Sequence, residues 1–192
     1  MISPSWSLKT DHIENWTYIP DLFSKQECDM IVEYGNSLGL EQSTIYKNEK
    51  VVSETSRKSE HVFISPDPQI DWLYQRLTDG VTNINEKFFK FDLFGFGEGL
   101  QFTKYEAPAS HYDYHVDRIL HGQIRKLSIT VQLTDETEYE GGNFQMFGSD
   151  QILPRKQGAM LAFPSFMVHR VTPVTKGTRY SLVGWVNGKP FK

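Results

Sequence analysis

Cysteine is nearly missing from this 192-residue chain: Cys28 stands alone, which excludes an intrachain disulfide and any scaffold stapled by them. No run of Lys and Arg interrupts a slightly acidic balance of 20 basic against 24 acidic residues, so the electrostatic footprint of a phosphate-backbone binder is missing. Nucleic acid is therefore not expected as a partner. No apolar run approaches the ~18 residues of a membrane span, and no cationic stretch leads into an apolar one. No membrane partner is expected, and with the lone thiol this points to a reducing, cytoplasmic setting. Repeats, low-complexity tracts and linker-like stretches are absent too, so residues 1–192 are expected to form a single domain. What the chain does have is 39% hydrophobic and 14% aromatic residues, enough apolar surface to drive folding and to exclude a disordered effector.

Helical signals fall within residues 1–90. Trp6, Trp16 and Tyr18 stand among polar residues in 1–20, an irregular entry segment that would pack through its aromatics. Ser24-Lys25-Gln26-Glu27 is a capping box, because the serine hydroxyl can accept from the Glu27 amide while the glutamate reaches back to the Ser24 amide. Cys28, Ile31, Val32 and Leu38 follow at helical spacing up to Gly39, which places Cys28 on an apolar, core-facing stripe. The polar segment 41–60 reads as a long loop or flexible hairpin and as a candidate lid. Val62-Phe63-Ile64 reads as a short strand. Asp67 is then a cap and Pro68 the first position of a second helix, whose stripe Ile70, Leu73, Leu77, Val81, Ile84 and Phe88 must face something apolar.

From residue 91 onward, period-2 segments alternate with Gly, Pro and acidic punctuation. Strands are expected at 92–97, 99–106, 111–118, 124–133, 142–147, 158–163, 167–174 and 179–187. The expected fold is mainly β, a double-sheet jelly roll or cupin-like barrel over 91–192 with the N-terminal helices against one sheet face.

Chemistry concentrates in two places. His111-Tyr112-Asp113-Tyr114-His115-Val116-Asp117 holds two overlapping His-x-Asp pairs, and residues two apart on a strand share a face. Such a pair with one distant histidine is the facial donor set for non-haem Fe(II), and His169 lies far downstream. Parity alone does not choose between His111/Asp113 and His115/Asp117. Arg179 follows ten residues after His169, and Ser181 shares its face. A guanidinium forks onto a carboxylate and a hydroxyl adds a third hydrogen bond, so this strand could hold the far end of a dicarboxylate. His12, His61 and His121 lack partners at ligand spacing, and Gly141-Gly142 reads as a turn, since no helix signal follows it.

These motifs, in this order, resemble the Fe(II)- and 2-oxoglutarate-dependent dioxygenases, and among them the prolyl hydroxylases. The likeness covers roughly 99–188: Gln101-Phe102-Thr103-Lys104-Tyr105, His115-Val116-Asp117, Arg125-Lys126-Leu127-Ser128, Glu140-Gly141-Gly142, His169-Arg170-Val171-Thr172-Pro173 and Arg179-Tyr180. Tyr105 and Tyr112 precede His115 at a spacing similar to that of animal oxygen-sensing prolyl hydroxylases, which selects the later His-x-Asp pair. Collagen-type enzymes carry a lysine where Arg179 stands.

The resemblance implies that His115, Asp117 and His169 hold Fe(II) and act as the catalytic centre. It implies that Arg179 and Ser181 anchor 2-oxoglutarate, with Tyr105 and Gln132 also on the co-substrate, and that Arg125, Trp185 and Tyr112 contact substrate. The implied reaction consumes O2, turns 2-oxoglutarate into succinate and CO2, and hydroxylates a C–H bond, with ascorbate as an accessory reductant. The implied substrate is a prolyl residue of a peptide or protein, over which 41–60 would close. The alternatives are a free amino acid or other small metabolite on the same scaffold, and a non-catalytic jelly-roll metal-binding module.

Overall fold

Strand alternation explains how one sheet serves two faces. The computed structural model describes residues 14–43, 45–47, 50–52, 56–117, 124–149 and 151–190. In chain order the elements are β1 (Thr17–Ile19), α1 (Lys25–Ser37), β2 (Glu41–Gln42), β3 (Ile45–Lys47), β4 (Lys50–Val52), β5 (Arg57–Lys58), β6 (Glu60–Ile64) and α2 (Asp71–Ile84). A π-helical turn (Asn85–Phe89) follows, then β7 (Leu93–Phe96), β8 (Leu100–Glu106), β9 (His111–His115), β10 (Arg125–Gln132), β11 (Glu140–Gly141) and β12 (Phe144–Met146). The chain ends with β13 (Met160–Pro164), β14 (His169–Val171), β15 (Val174–Lys176) and β16 (Thr178–Gly188).

The larger antiparallel sheet runs β1-β13-β10-β16-β8-β6-β2, with β7 also paired to β16, and the smaller runs β12-β14-β9-β5. This is a jelly-roll arrangement of antiparallel sheets, not a closed barrel. On β10, Leu127, Ile129 and Val131 join α1 and α2 in the principal core, and on β16 Leu182 and Val186 do the same. The intervening residues of β16, Arg179, Ser181, Val183 and Trp185, face a cavity instead. Between the sheets, Leu161 and Phe163 of β13 meet Phe144 and Met146 of β12 and Val171 of β14 in a second core. The expected helix cover on one sheet face is therefore present, and the other face is left to the site.

α1 begins at its capping box: Glu27 N donates to Ser24 Oγ at 3.2 Å and Ser24 N to Glu27 Oε2 at 2.8 Å. Cys28 is buried on its inner face. Gly35 lets this helix approach the sheet closely, since a Cβ there would lie 2.5 Å from Cδ1 of Phe102. α2 starts later than its Asp67-Pro68 signal, because Asp67 closes a turn instead, accepting from Gln69 N and Ile70 N. Its stripe also shifts at the end. The π turn carries an extra residue, which moves burial from Phe88, 38% exposed, to Phe89, 3% exposed.

Other expectations need correction. Thr17–Ile19 is an edge strand paired with β13, so 1–20 is not wholly irregular. The 41–60 segment is tied into sheets at both ends, β2 to β6 and β5 to β9, around a β3–β4 hairpin. Residues 44, 48–49 and 53–55 lie outside the described residues, as do Trp6, His12 and His121. The strand expected at 167–174 is divided between β14 and β15 at Thr172-Pro173. Among the described residues, no helix is long and apolar enough to cross a membrane.

Candidate metal centre and anion pocket

β9 and β14 run side by side in the smaller sheet and place His115 opposite His169. Asp117 follows β9 directly, held by its backbone N–H donating to Ser165 O at 3.1 Å. Its Oδ1 lies 3.6 Å from His115 Nε2 and its Oδ2 lies 3.7 Å from His169 Nε2. These separations are too long for good hydrogen bonds and suit three donors arranged around one cation. The three donor atoms all lie within 4.8 Å of one another.

The tautomers support this reading. His115 Nδ1 is 2.7 Å from Asp113 O and His169 Nδ1 is 2.9 Å from Met167 O. A carbonyl only accepts, so each Nδ1 donates to it and each Nε2 is the nitrogen turned to the centre. Burial, then the neighbouring His169, pushes the His115 imidazole down to about 4, so it is neutral at physiological pH. Burial by itself would raise the Asp117 carboxyl, but the adjacent His169 and His115 imidazoles and the Ser128 hydroxyl hold it below its usual range. Asp117 Oδ2 is buried without a hydrogen-bond partner among the described residues. Two imidazoles that turn Nε2 inward and an orphaned carboxylate oxygen fit a resident divalent iron.

The centre opens into a cavity of about 230 Å³. Tyr105, Tyr112, Arg125, Arg179, Ser181 and Trp185 all line it. Arg179 is 1% exposed; one terminal nitrogen donates to Gln132 Oε1 at 2.9 Å, and the other stands 3.5 Å from Ser181 Oγ. Among the described residues its Nε has no partner and no carboxylate pairs with it. Gln132 thus stands behind Arg179 rather than in the cavity wall. Tyr105 flanks the same guanidinium, whose Cζ lies 5.3 Å from the ring centre.

Arg125 is occupied differently. Its fork meets both carboxylate oxygens of Glu98 at 2.8 and 2.6 Å, it donates to Asp117 O at 3.1 Å, and it stacks 3.8 Å over Trp185. In this structure it braces Asp117 of the His-Asp-His cluster. His111 and Asp113 stand apart from the cavity, and Asp113 is largely exposed. His61 is a structural histidine beside Ser43 Oγ at 2.9 Å. Gly141 and Gly142 form the expected turn, both with positive φ.

Two polar residues of the site escape sequence reasoning. Glu98 stands in a glycine-flanked turn with no motif around it. Arg57 lies in a polar stretch where nothing distinguishes it from solvated neighbours, yet it lines the cavity.

The antiparallel jelly roll thus presents a His-Asp-His cluster and a buried arginine to one cavity. Residues 100–187 match the family model described as the 2OG-Fe(II) oxygenase superfamily, so the resemblance read from the motifs holds. Curated relatives include PKHD-type hydroxylases of Picosynechococcus sp. (39% identical over 90 residues, 45% of this chain and 41% of that one) and Nitrosomonas europaea (36% over 123 residues, 59% and 53%). The matched stretch therefore spans about half or less of those relatives.

Among solved structures, a Pseudomonas putida prolyl-4-hydroxylase superposes with TM-score 0.72 at 20% identity, covering 92% of this chain and 94% of that one. A Trichoplax adhaerens prolyl hydroxylase, solved with a hypoxia-inducible-factor peptide, gives 0.74 at 16%, covering 91% and 84%. The fold is prolyl-hydroxylase-like.

Proposed function

We propose that this chain is an Fe(II)- and 2-oxoglutarate-dependent hydroxylase in which His115, Asp117 and His169 hold iron and Arg179 with Ser181 anchors the distal carboxylate of 2-oxoglutarate. The observation that carries the reading is the fully buried Arg179 guanidinium with no described carboxylate partner, sharing a cavity with the three-donor cluster. A buried, unpaired cation is costly, so the site is organised for an anion supplied from outside. A module that only binds metal has no use for it, which disfavours the non-catalytic alternative.

When bound, iron with 2-oxoglutarate and O2 supplies the oxidising power for C–H hydroxylation, with succinate and CO2 as co-products. The residues supply the rest. Gln132 Oε1 orients the Arg179 fork, the carbonyls of Asp113 and Met167 fix the imidazole tautomers, and the Arg125–Glu98 pair holds the Asp117 backbone. Tyr112 and Trp185 line the cavity, where they would wall a bound substrate and keep water out. The prolyl-hydroxylase-like fold favours a prolyl residue in a peptide or protein as substrate.

Anaerobic titration with Fe(II) and then 2-oxoglutarate tests the co-substrate assignment, and mass spectrometry of a proline-peptide panel for gain of one oxygen atom tests the substrate. Absence of 2-oxoglutarate binding to the iron-loaded protein would overturn the reading.

A further inference from the structure

Arg57 lies on β5, the edge strand of the smaller sheet, paired with Tyr112. Arg57 is 9% exposed and lines the cavity. Nε donates to Ser59 Oγ at 3.0 Å, and the guanidinium Cζ lies 4.6 Å from the centre of the Tyr112 ring, which in turn stacks on His115. One terminal nitrogen, Nη2, is buried with no partner, and no carboxylate pairs with Arg57, among the described residues. Arg125 in the same cavity is the contrast, because Glu98 fills both prongs of its fork. A guanidinium fixed at its Nε and across its face, but open at a terminal nitrogen, is prepared for a planar anion.

Charge balance says which anion. A divalent iron with the Asp117 carboxylate leaves one positive charge, Arg179 adds a second, and doubly negative 2-oxoglutarate cancels both. The Arg125–Glu98 pair is neutral by itself. Among the described residues of the cavity, Arg57 then remains as one buried positive charge that neither iron nor co-substrate offsets, and such a charge is costly unless a partner arrives.

We propose that Arg57 binds a carboxylate carried by the substrate, beside the carbon to be hydroxylated. The inference rests on the dioxygenase reading and narrows its substrate class to carboxylate-bearing molecules. That carboxylate has two chemical sources, the α-carboxylate of a free or C-terminal residue, or an acidic side chain next to the target residue.

The test is anaerobic calorimetry on the full chain, loaded with Mn(II) as a redox-inert stand-in and then 2-oxoglutarate. The probes are L-proline against L-prolinamide, a proline-ending peptide against its C-terminal amide, and an internal-proline peptide with adjacent aspartate against the same peptide with asparagine. The expected result is that the carboxylate member of at least one pair binds on the order of 10-fold tighter, with the pair identifying the source. Arg57→Gln should abolish that preference and Arg57→Lys should keep part of it, while both variants bind 2-oxoglutarate as the parent does. Equal binding of both members of every pair, no binding by any carboxylate probe, or a preference that survives Arg57→Gln overturns the inference. If the parent takes up metal and 2-oxoglutarate but shows no preference, only this inference falls; if it takes up neither, the dioxygenase reading falls and takes this with it.

Discussion

Tyr112 lies flat against His115, ring centres 3.5 Å apart and planes 14° from parallel, although an uninterrupted strand would point them to opposite faces. The cause is a register shift: β14 advances two residues, His169 to Val171, while β9 covers three, His115 back to Tyr112. This bulge re-aims His115 into the cavity together with Tyr112 and leaves Asp113 at the surface.

Metal affinity should therefore separate the two His-x-Asp pairs. His115→Ala is expected to abolish Fe(II)-dependent 2-oxoglutarate turnover and to weaken metal binding by orders of magnitude, whereas His111→Ala leaves metal binding measurable. Calorimetry with Mn(II) distinguishes them, and the reverse ranking would overturn the assignment.

The anchor predicts a graded series. Arg179→Ala should cost on the order of 2–5 kcal/mol in 2-oxoglutarate affinity, since a buried carboxylate loses its partner, and Arg179→Lys should retain part of it as a point charge without the fork. An unchanged Michaelis constant for 2-oxoglutarate in Arg179→Ala would show that the anchor is misassigned.

Glu98 is expected to act on the metal through Arg125. Glu98→Gln removes one charge of a bidentate pair whose arginine holds Asp117 O at 3.1 Å, so metal affinity should fall on the order of 10-fold with the far-ultraviolet spectrum unchanged. Wild-type metal affinity in that variant would make the pair a surface feature only.

Gly35 sets two effects against each other. Alanine in a helix interior ordinarily gains about 1 kcal/mol over glycine. Here the new Cβ would meet the Phe102 ring at 2.5 Å, and overpacking of about 1–3 kcal/mol wins. Gly35→Ala should lower the urea midpoint; a raised midpoint would mean that α1 shifts freely on the sheet.

Cys28 gives the pH prediction. Burial pushes its thiol from 9.0 up to about 12. Between those values the folded chain holds a proton that the unfolded chain has released, so stability falls as pH rises through this window and is unaffected below it. Native Cys28 should stay inert to a thiol reagent at pH 8 and react fully in denaturant; fast native labelling would contradict its burial.

Local chemistry and periodicity were legible in the chain itself. The capping box at Ser24, the apolar stripe from Ile70 to Ile84, the alternation on β10 and β16 and the spacing from His115 to His169 and Arg179 each depend on residues a few positions apart or on ordered motifs, which a linear pattern preserves. The same alternation put Arg179, Ser181 and Trp185 on one face, and the cavity lies on that face.

What only the tertiary structure decided were features that arise between segments. The bulge that distinguishes His115 from His111 exists only once β9 pairs with β14, and the π turn that buries Phe89 instead of Phe88 answers to the packing beneath α2. Glu98 is 27 residues from Arg125, and Arg57 is 55 residues from the Tyr112 ring that it covers. An exposed and a buried charge look alike in sequence, because desolvation is imposed by the sheet that closes over them and not by their neighbours along the chain.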